Sequence, residues 1–438
     1  MTAFRILIAR MVLLLNGLPL KKAMKDILEL NQSFKSPEEK NVWLNNRKWD
    51  IYNFHTKNNP LYRKKNSSDQ TENWEDLPIM RKQDFQKPIE EMLSEGIQKS
   101  NVHVGNTSGS SGHPFFYAKD KYAHARTYAN IYRSYDEHGL SLGMKQARFY
   151  GIPLRGKQRK IEQLKDFLFN RHRFPVHDLS PAQLEIFLKK FKRKPFAFVY
   201  GYTSSILAFA KYLESKNVIL KDLCPSLKAC IVTSEMCTEE DKSTIEKALG
   251  VEVLNEYGAS EMDVIAMTDK RGEWRISNEN IYLEILDDND KVLEPGNEGR
   301  IVITSLFNKA MPFIRYDIGD YGKLKRENPG ILEELTGRTS DIIHLPSGKK
   351  AGGLTFYYIS RKILESGSAI REFVVKQKAI DTFVFEVVAD RQLNHEETLQ
   401  INKMLDDYLE KGLKLEIEYL DKIERSPNGK IKHFYSEI

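Results

Sequence analysis

Between residues 197 and 254 the hydrophobic positions change their period several times. Ala197-Phe198-Val199-Tyr200 is an unbroken apolar run, which predicts a short buried strand. Ile206, Phe209, Ala210 and Leu213 then fall at i, i+3, i+4 and i+7, which predicts a helix with Ser204 as its cap. A second apolar run covers 229–233, a helix follows from about 239 with Thr238 to open it and Gly250 to close it, and a third run covers 251–254. Strands alternating with helices predict crossover units around a parallel sheet. Ligands of such sheets gather beyond the carboxyl ends of the strands, so Tyr202, Ser234 and Tyr257 are expected just past those ends.

The pattern differs on either side of this block. Residues 1–100 read as helices and polar linkers, with a hydrophilic loop at 66–73. After 280 the runs 281–286 and 301–304 are joined through Asp287-Asp288-Asn289-Asp290 and Pro295-Gly296, which predicts an antiparallel subdomain. From 341 onward strands near 373–376, 382–388 and 413–419 and a helix near 396–410 make a compact last lobe. The expectation is an α/β protein: a large N-terminal domain, 1–338, with a parallel sheet and the antiparallel subdomain, and a small C-terminal α+β domain, 341–438. The stretch 4–20 predicts an amphipathic helix packed on the body. Its second reading is an interfacial helix in peripheral contact with a membrane, because Arg5, Arg10, Lys21 and Lys22 flank faces rich in Leu and Val. Arg5 and Arg10 interrupt it, and no run reaches the ~20 apolar residues of a membrane span.

Composition narrows the class. A chain of 438 residues that is 41% hydrophobic can bury a large core, which excludes a disordered protein. Its 67 basic and 61 acidic residues leave a net charge of +6 on a mixed surface, and no basic stripe interleaved with aromatics appears, so no nucleic-acid partner is expected. Cys224, Cys230 and Cys237 form no CxxC pair and cannot all be disulfide-bonded, which fits a reducing cytoplasm. Their clustering raises a zinc reading, but the spacings exceed those usual between zinc thiolates. Cys230, inside Ala229-Cys230-Ile231-Val232, reads better as a small buried hydrophobe.

The densest chemical signal is Thr107-Ser108-Gly109-Ser110-Ser111-Gly112, followed by Pro114. Glycines let backbone N–H groups approach an anion and short hydroxyls donate further hydrogen bonds, so the run reads as a phosphate cradle. Taken alone it reads equally well as a flexible loop. It lacks the GK[ST] ending of a Walker loop. Four more signatures follow in order: Tyr257-Gly258-Ala259-Ser260-Glu261, Arg315-Tyr316-Asp317-Ile318-Gly319-Asp320, Gly337-Arg338-Thr339-Ser340-Asp341 and Pro427-Asn428-Gly429-Lys430. Together with the run at 107 they resemble, over nearly the whole chain, the adenylate-forming superfamily of acyl-CoA synthetases, luciferases and adenylation domains. Within it the compact branch of phenylacetate-CoA ligases and CapK-like proteins is the most similar.

That resemblance implies an enzyme that uses ATP and Mg²⁺ to activate a small carboxylic acid as its adenylate. It implies that Thr107, Ser108, Gly109, Ser110, Ser111 and Gly112 hold the β- and γ-phosphates, with Ser234 and Glu235 also at the nucleotide. Tyr257, Gly258 and Ala259 would lie along the adenine and the acyl group, Ser260 near the α-phosphate, and Glu261 on the magnesium. Asp320 would accept from the ribose hydroxyls, Arg338 would bridge ribose and α-phosphate, and Lys430 would reach the carboxylate and α-phosphate during adenylation. Tyr202 and Ser204, with Tyr257, would border the carboxylate pocket. Three departures stand out. Phe115 follows the proline where many relatives have lysine, Ser340 replaces the usual acidic hinge residue, and 345–353 replaces a short Gly-Val-Asn stretch near the thiol channel. The last weakens coenzyme A and strengthens an amine, as in polysaccharide biosynthesis, as the acceptor. The rivals are an aryl-CoA ligase and a nucleotide-binding protein without catalysis.

Overall fold

The computed structural model describes the chain apart from residues 1, 67–70, 108–114, 151–155, 177, 339–341, 349, 353–355, 357–368 and 424–433. The block read as crossover units is a parallel sheet. Gln146–Phe149 pairs in parallel with both Arg171–Phe174 and Phe198–Tyr202, which pairs with Ala229–Thr233, which pairs with Glu252–Ala259. Successive side chains point to opposite faces. Val199, Cys230 and Val232 therefore join one core with Phe149, Phe174, Phe187 and Phe209, while Phe198 and Ile231 join another beneath helix Lys121–Glu137. Burial on both faces is what continuous apolar runs require. Helix Glu239–Leu249 has the ends expected: the Thr238 hydroxyl accepts from Asp241 N at 3.1 Å, the Asp241 carboxylate accepts from Thr238 N at 3.2 Å, and Gly250 closes it.

Among the described residues, the strands between 281 and 338 do not form a sheet of their own. Among the described residues eleven strands make one sheet in the order Ile281–Leu286, Glu298–Ser305, Tyr316–Lys325, Asn328–Arg338, Trp274–Ile276, Asp263–Thr268, Glu252–Ala259, Ala229–Thr233, Phe198–Tyr202, Gln146–Phe149, Arg171–Phe174. The change from parallel to antiparallel occurs on Glu252–Ala259. That strand runs parallel to Ala229–Thr233 along one edge and antiparallel to Asp263–Thr268 along the other. Asp263–Thr268 and Trp274–Ile276 are also antiparallel, as are Trp274–Ile276 and Asn328–Arg338.

The first hundred residues carry helices Thr2–Leu15, Leu20–Ser33, Pro37–Asn58 and Pro60–Lys65. The helix expected over 4–20 is present but ends at Leu15; Gly17 takes φ 71° and, after Pro19, a second helix begins at Leu20. Ala9 and Leu13 of the first and Leu20, Ala23 and Ile27 of the second enter the core beneath helix Lys121–Glu137. The 74–77 segment is held by Arg315, whose guanidinium is 1% exposed and donates to the carbonyls of Glu75 and Leu77 at 2.6 and 2.9 Å. Its Nε lies 3.4 Å from Glu284, which also accepts from the Trp74 indole at 2.9 Å.

The chain divides into two compact units: Met1–Asn297 with Val302–Ile318 and Leu324–Glu333, and Glu298–Ile301 with Gly319–Lys323 and Glu334–Ile438. The second contains a four-stranded sheet in the order Lys414–Tyr419, Thr382–Ala389, Ile370–Ala379, Phe434–Ser436, with helix His395–Tyr408. Phe373, Phe383, Phe385 and Phe434 pack with Ile401 and Leu405 of that helix. In the described residues no helix is long and apolar enough to cross a membrane.

Candidate active site

The parallel strands end in a cluster of hydroxyls and rings. Tyr202 is the last residue of its strand and packs on Tyr150, ring centroids 4.2 Å apart. The Tyr150 hydroxyl lies 3.0 Å from the Ser234 Oγ. Ser234 follows strand Ala229–Thr233 with φ 67°, a left-handed turn that directs the chain out of the sheet. Next to it, the Glu235 carboxylate accepts from the Ser204 backbone N–H at 2.8 Å, and the Glu235 carbonyl accepts from the Thr203 hydroxyl at 3.2 Å. This corrects the expected cap. Helix Thr203–Ser215 begins one residue before Ser204, Tyr202 occupies the capping position without a side-chain bond, and the acceptor comes from Glu235 across the strand ends. Burial, then Tyr150 and the Glu235 charge, push the Tyr202 phenol up to about 12.

Beneath these residues Glu256 is buried and accepts from the Tyr200 hydroxyl at 2.8 Å. Burial pushes its carboxyl above the ordinary range, and the hydrogen bonds from Tyr200 and Thr233 only moderate that effect. Arg148 lies over the rings of Tyr150 and Tyr200, 4.7 and 4.9 Å from their centroids.

Tyr257 is not past a strand end. It lies within Glu252–Ala259, because that strand continues beyond its parallel neighbour by pairing with Asp263–Thr268. Its buried ring stacks against Trp274 at 6.3 Å. The pairing is irregular between Tyr257 and Gly258, and a Cβ on Gly258 would come within 2.5 Å of the Asp263 carbonyl, so only glycine fits there. Ala259 pairs with Asp263, exposed Ser260 turns the chain, and Glu261 is buried with one carboxylate oxygen 3.2 Å from the Tyr316 hydroxyl.

The serine- and glycine-rich run belongs to a hairpin. Val102–Thr107 pairs antiparallel with Phe115–Asp120, with Thr107 opposite Phe115. Ser108, Gly109, Ser110, Ser111 and Gly112 lie outside the described residues. The second strand of the hairpin is tied to the 257–261 turn by a residue that sequence reading missed: the buried Lys119 ammonium pairs with Asp263 and donates to the Ser260 carbonyl at 3.2 Å. Asp263 also accepts from the Thr127 hydroxyl at 2.6 Å. The second strand of the hairpin and the 257–261 turn, about 140 residues apart in the chain, are thereby tied together. A lysine that directly follows the apolar run Phe115-Phe116-Tyr117-Ala118 was the available signal. Burial, then Asp263 and Glu261, raise the Tyr117 phenol on the same strand.

Asp320 lies half-buried on Tyr316–Lys325 and Arg338 ends the neighbouring strand Asn328–Arg338; both positions belong to the C-terminal unit. Lys430 lies outside the described residues. Of the 345–353 segment, Lys350–Gly352 pairs antiparallel with Ile342–His344, and the Ser347 N–H donates to Glu410 at 3.2 Å; Lys349 and Gly353 lie outside the described residues. Among the described residues no three His, Cys, Asp or Glu side chains gather into a metal cage. Glu261 brings one buried carboxylate, a donor set that suits Mg²⁺ because this ion takes one or two protein carboxylates and completes its shell with phosphate oxygens and water. Cys230 is fully buried in the core, and burial raises its thiol well above the ordinary value.

Comparison with known proteins places these features in a context. Residues 348–437 match the family model of the CapK C-terminal domain. Protein CapK of Staphylococcus aureus is 23% identical over 412 residues, 90% of this chain and 88% of that protein. A phenylacetate-coenzyme A ligase of Pseudomonas putida is 32% identical over 154 residues, 32% of this chain and 33% of its own length. Among solved structures, a 2-hydroxyisobutyryl-CoA ligase in the postadenylation state superposes with a TM-score of 0.67 at 17% identity, covering 92% of this chain and 90% of its own. The amide bond synthetase McbA of Marinactinospora thermotolerans superposes with a TM-score of 0.54 at 16% identity, covering 76% of this chain and 69% of its own.

Proposed function

Starting from a chain that is a CapK homologue built on the fold of the adenylate-forming ligases, we propose that it is a cytoplasmic, ATP-dependent, AMP-forming ligase that activates a small carboxylic acid and passes it to an acceptor amine. The observation that carries this reading is the Lys119 tether, which fixes the hairpin bearing the 107–112 run against the 257–261 turn. In the first half-reaction an oxygen of the acid attacks the α-phosphorus and the bond to pyrophosphate breaks, the electron pair leaving with it. Little covalent work falls to the protein, so positioning and preorganised charge decide the rate. The 107–112 run holds the β- and γ-phosphates, Ser234 and Glu235 border the nucleotide, and Tyr257, Gly258 and Ala259 form the floor between adenine and acid. Ser260 faces the α-phosphate, Asp320 accepts from the ribose hydroxyls, and Arg338 bridges ribose and α-phosphate. Glu261 would hold Mg²⁺, which supplies positive charge to the phosphate oxygens. Lys430 meets the charge that builds on the attacked phosphorus. In the second half-reaction the acceptor nitrogen attacks the acyl carbonyl, AMP leaves, and the nitrogen gives up its proton to solvent.

Tyr202 and Ser204 border the acid, and the aromatic wall of Tyr150 and Tyr202 favours a small, flat one. An amine acceptor, as in cell-surface polysaccharide assembly, is favoured over coenzyme A by the 345–353 sequence, which stands where phenylacetate-type ligases have a short Gly-Val-Asn stretch. The second reading, an aryl-CoA ligase, draws on the likeness to phenylacetate-coenzyme A ligases. A panel of carboxylic acids scored by pyrophosphate release, with and without coenzyme A, tests both. Acid-dependent release is expected, with an amide formed faster than a thioester. A faster acyl-CoA product overturns the amine, and no release with any acid overturns the ligase.

A further inference from the structure

Helix Thr2–Leu15 is apolar on two opposite faces. Its inner face is seated on the body: Ala9 and Leu13 are buried, and the Arg5–Ile6 backbone lies so close to Gly143 that a Cβ there would come within 2.7 Å of the Arg5 carbonyl. The outer face carries Phe4, Leu7, Met11, Leu14 and Leu15, which are 37% to 82% exposed. Positions 4, 7, 11 and 14 repeat at three- and four-residue steps, so they line one stripe about 15 Å long on the side away from Ala9 and Leu13. The packed neighbour, helix Gly156–Leu168, adds exposed Leu164 and Phe167. The Arg5 guanidinium lies over the Phe167 ring at 5.1 Å, which puts a cation at the border of this apolar surface.

More cations stand behind Arg5. Burial, then the Lys194 and Arg5 charges, pull the Lys145 ammonium below its ordinary value, and burial with Lys194, Lys190 and Lys145 brings the His172 imidazole down to about 4. Lys145 is thus near enough to both Arg5 and Lys194 to feel their charges, so the cation at the border of the stripe is backed by further positive charge. A stripe this short cannot cross a bilayer, but an apolar face of this size bordered by cations is the arrangement of a helix lying in the plane of a membrane surface. Its cations complement anionic headgroups, each worth about fivefold in binding near the surface. A second copy of the chain fits worse, because pairing the stripes brings two like-charged rims together.

We propose that the outer face of helix Thr2–Leu15, with Leu164 and Phe167 beside it, Arg5 at its border and the positive charge of Lys145 and Lys194 behind, docks the protein on an anionic phospholipid bilayer. This assignment is independent of the acid, the acceptor and the ligase chemistry.

Co-sedimentation of the full chain with vesicles tests it, using phosphatidylcholine alone and phosphatidylcholine mixed with phosphatidylglycerol. The protein is expected to sediment with the mixed vesicles, to bind phosphatidylcholine far less, and to be released by salt. The exposed triple substitution Leu7→Ser, Met11→Ser, Leu14→Ser should reduce binding to mixed vesicles roughly tenfold or more, since it removes much of the apolar contact. Arg5→Gln with Lys194→Gln should reduce it and flatten its salt dependence. An unchanged melting temperature in each variant establishes that the fold is intact. No sedimentation with mixed vesicles, or equal sedimentation by the triple variant, overturns the proposal. So does a dimer of the parent chain that the triple variant turns into monomers without any vesicle binding, because the stripe then covers itself.

Discussion

Removing the Arg315 guanidinium would strand the Glu284 carboxylate in the interior, where burial already raises its affinity for a proton above the ordinary range. Arg315→Leu is therefore expected to cost about 3–5 kcal/mol of stability, the scale for breaking a buried pair at one partner. Urea unfolding measures it, and adding Glu284→Gln should recover part of the loss. No loss in the single variant would show that the pair does not hold the 74–77 segment. Glu256 poses the opposite case of a buried carboxyl without a cation bonded to it. Its folded-state value exceeds the ordinary 4.5, so the stability it contributes is full below that pH and is lost as pH rises through the folded value. Glu256→Gln, which keeps an acceptor for the Tyr200 hydroxyl, should melt higher than the parent at neutral pH and lose that advantage below about pH 4.5. A difference independent of pH would remove the carboxyl's ionisation from the account. Neither residue could be read from the sequence in this role. Arg315 looked like a motif letter beside Asp320, and its partners lie 31 and about 240 positions away.

At the scale of elements, local signals were read well. Thr238, Asp241 and Gly250 bound helix Glu239–Leu249 through bonds made within that segment, so its ends were legible without the fold. Signals that depend on a partner were not. Tyr257 belongs to a strand lengthened by a second neighbour, and the helix at Thr203–Ser215 takes its capping acceptor from Glu235, which no local rule assigns. The hairpin of Val102–Thr107 and Phe115–Asp120 is the element that function depends on most in the proposed mechanism. Lys119→Leu keeps its bulk and removes its bonds to Ser260 and Asp263, so a loss of about 1–3 kcal/mol in stability is expected from the unpaired carboxylate and carbonyl. Pyrophosphate release should fall more than thermal stability suggests, because the two motifs lose their common register. Activity that falls only in proportion to the unfolded fraction would reduce Lys119 to a packing residue.

For the whole molecule, the test lies in separating the two half-reactions. If Lys430 serves the attack on phosphorus, Lys430→Ala should slow pyrophosphate release by roughly 10²- to 10³-fold, the loss usual for one preorganised donor. Transfer from chemically made acyl-adenylate to the acceptor should be almost unchanged, and an equally steep loss there would remove Lys430 from the adenylation step. The α/β class, the parallel block and the last lobe were legible in the sequence because each rests on hydrophobic period over short windows. The single eleven-stranded sheet was not, since strands such as 274–276 and 328–338 meet across more than fifty residues of chain.

The way the chain is shared between its two compact units also sets an order of events during synthesis. Glu298–Ile301 and Gly319–Lys323 leave the ribosome well before Glu334–Ile438, with which they form one unit, while Leu324–Glu333 completes the other. Neither unit can close on itself until residues beyond 323 have emerged. The nascent chain therefore carries a large, unfinished sheet through most of translation, with its late strands pairing over long separations, the circumstance in which folding is slow and exposed edges invite association. A stop or a slow stretch of codons between 297 and 334 would trap both units open at once, whereas the same delay after 338 would leave only the C-terminal one to finish.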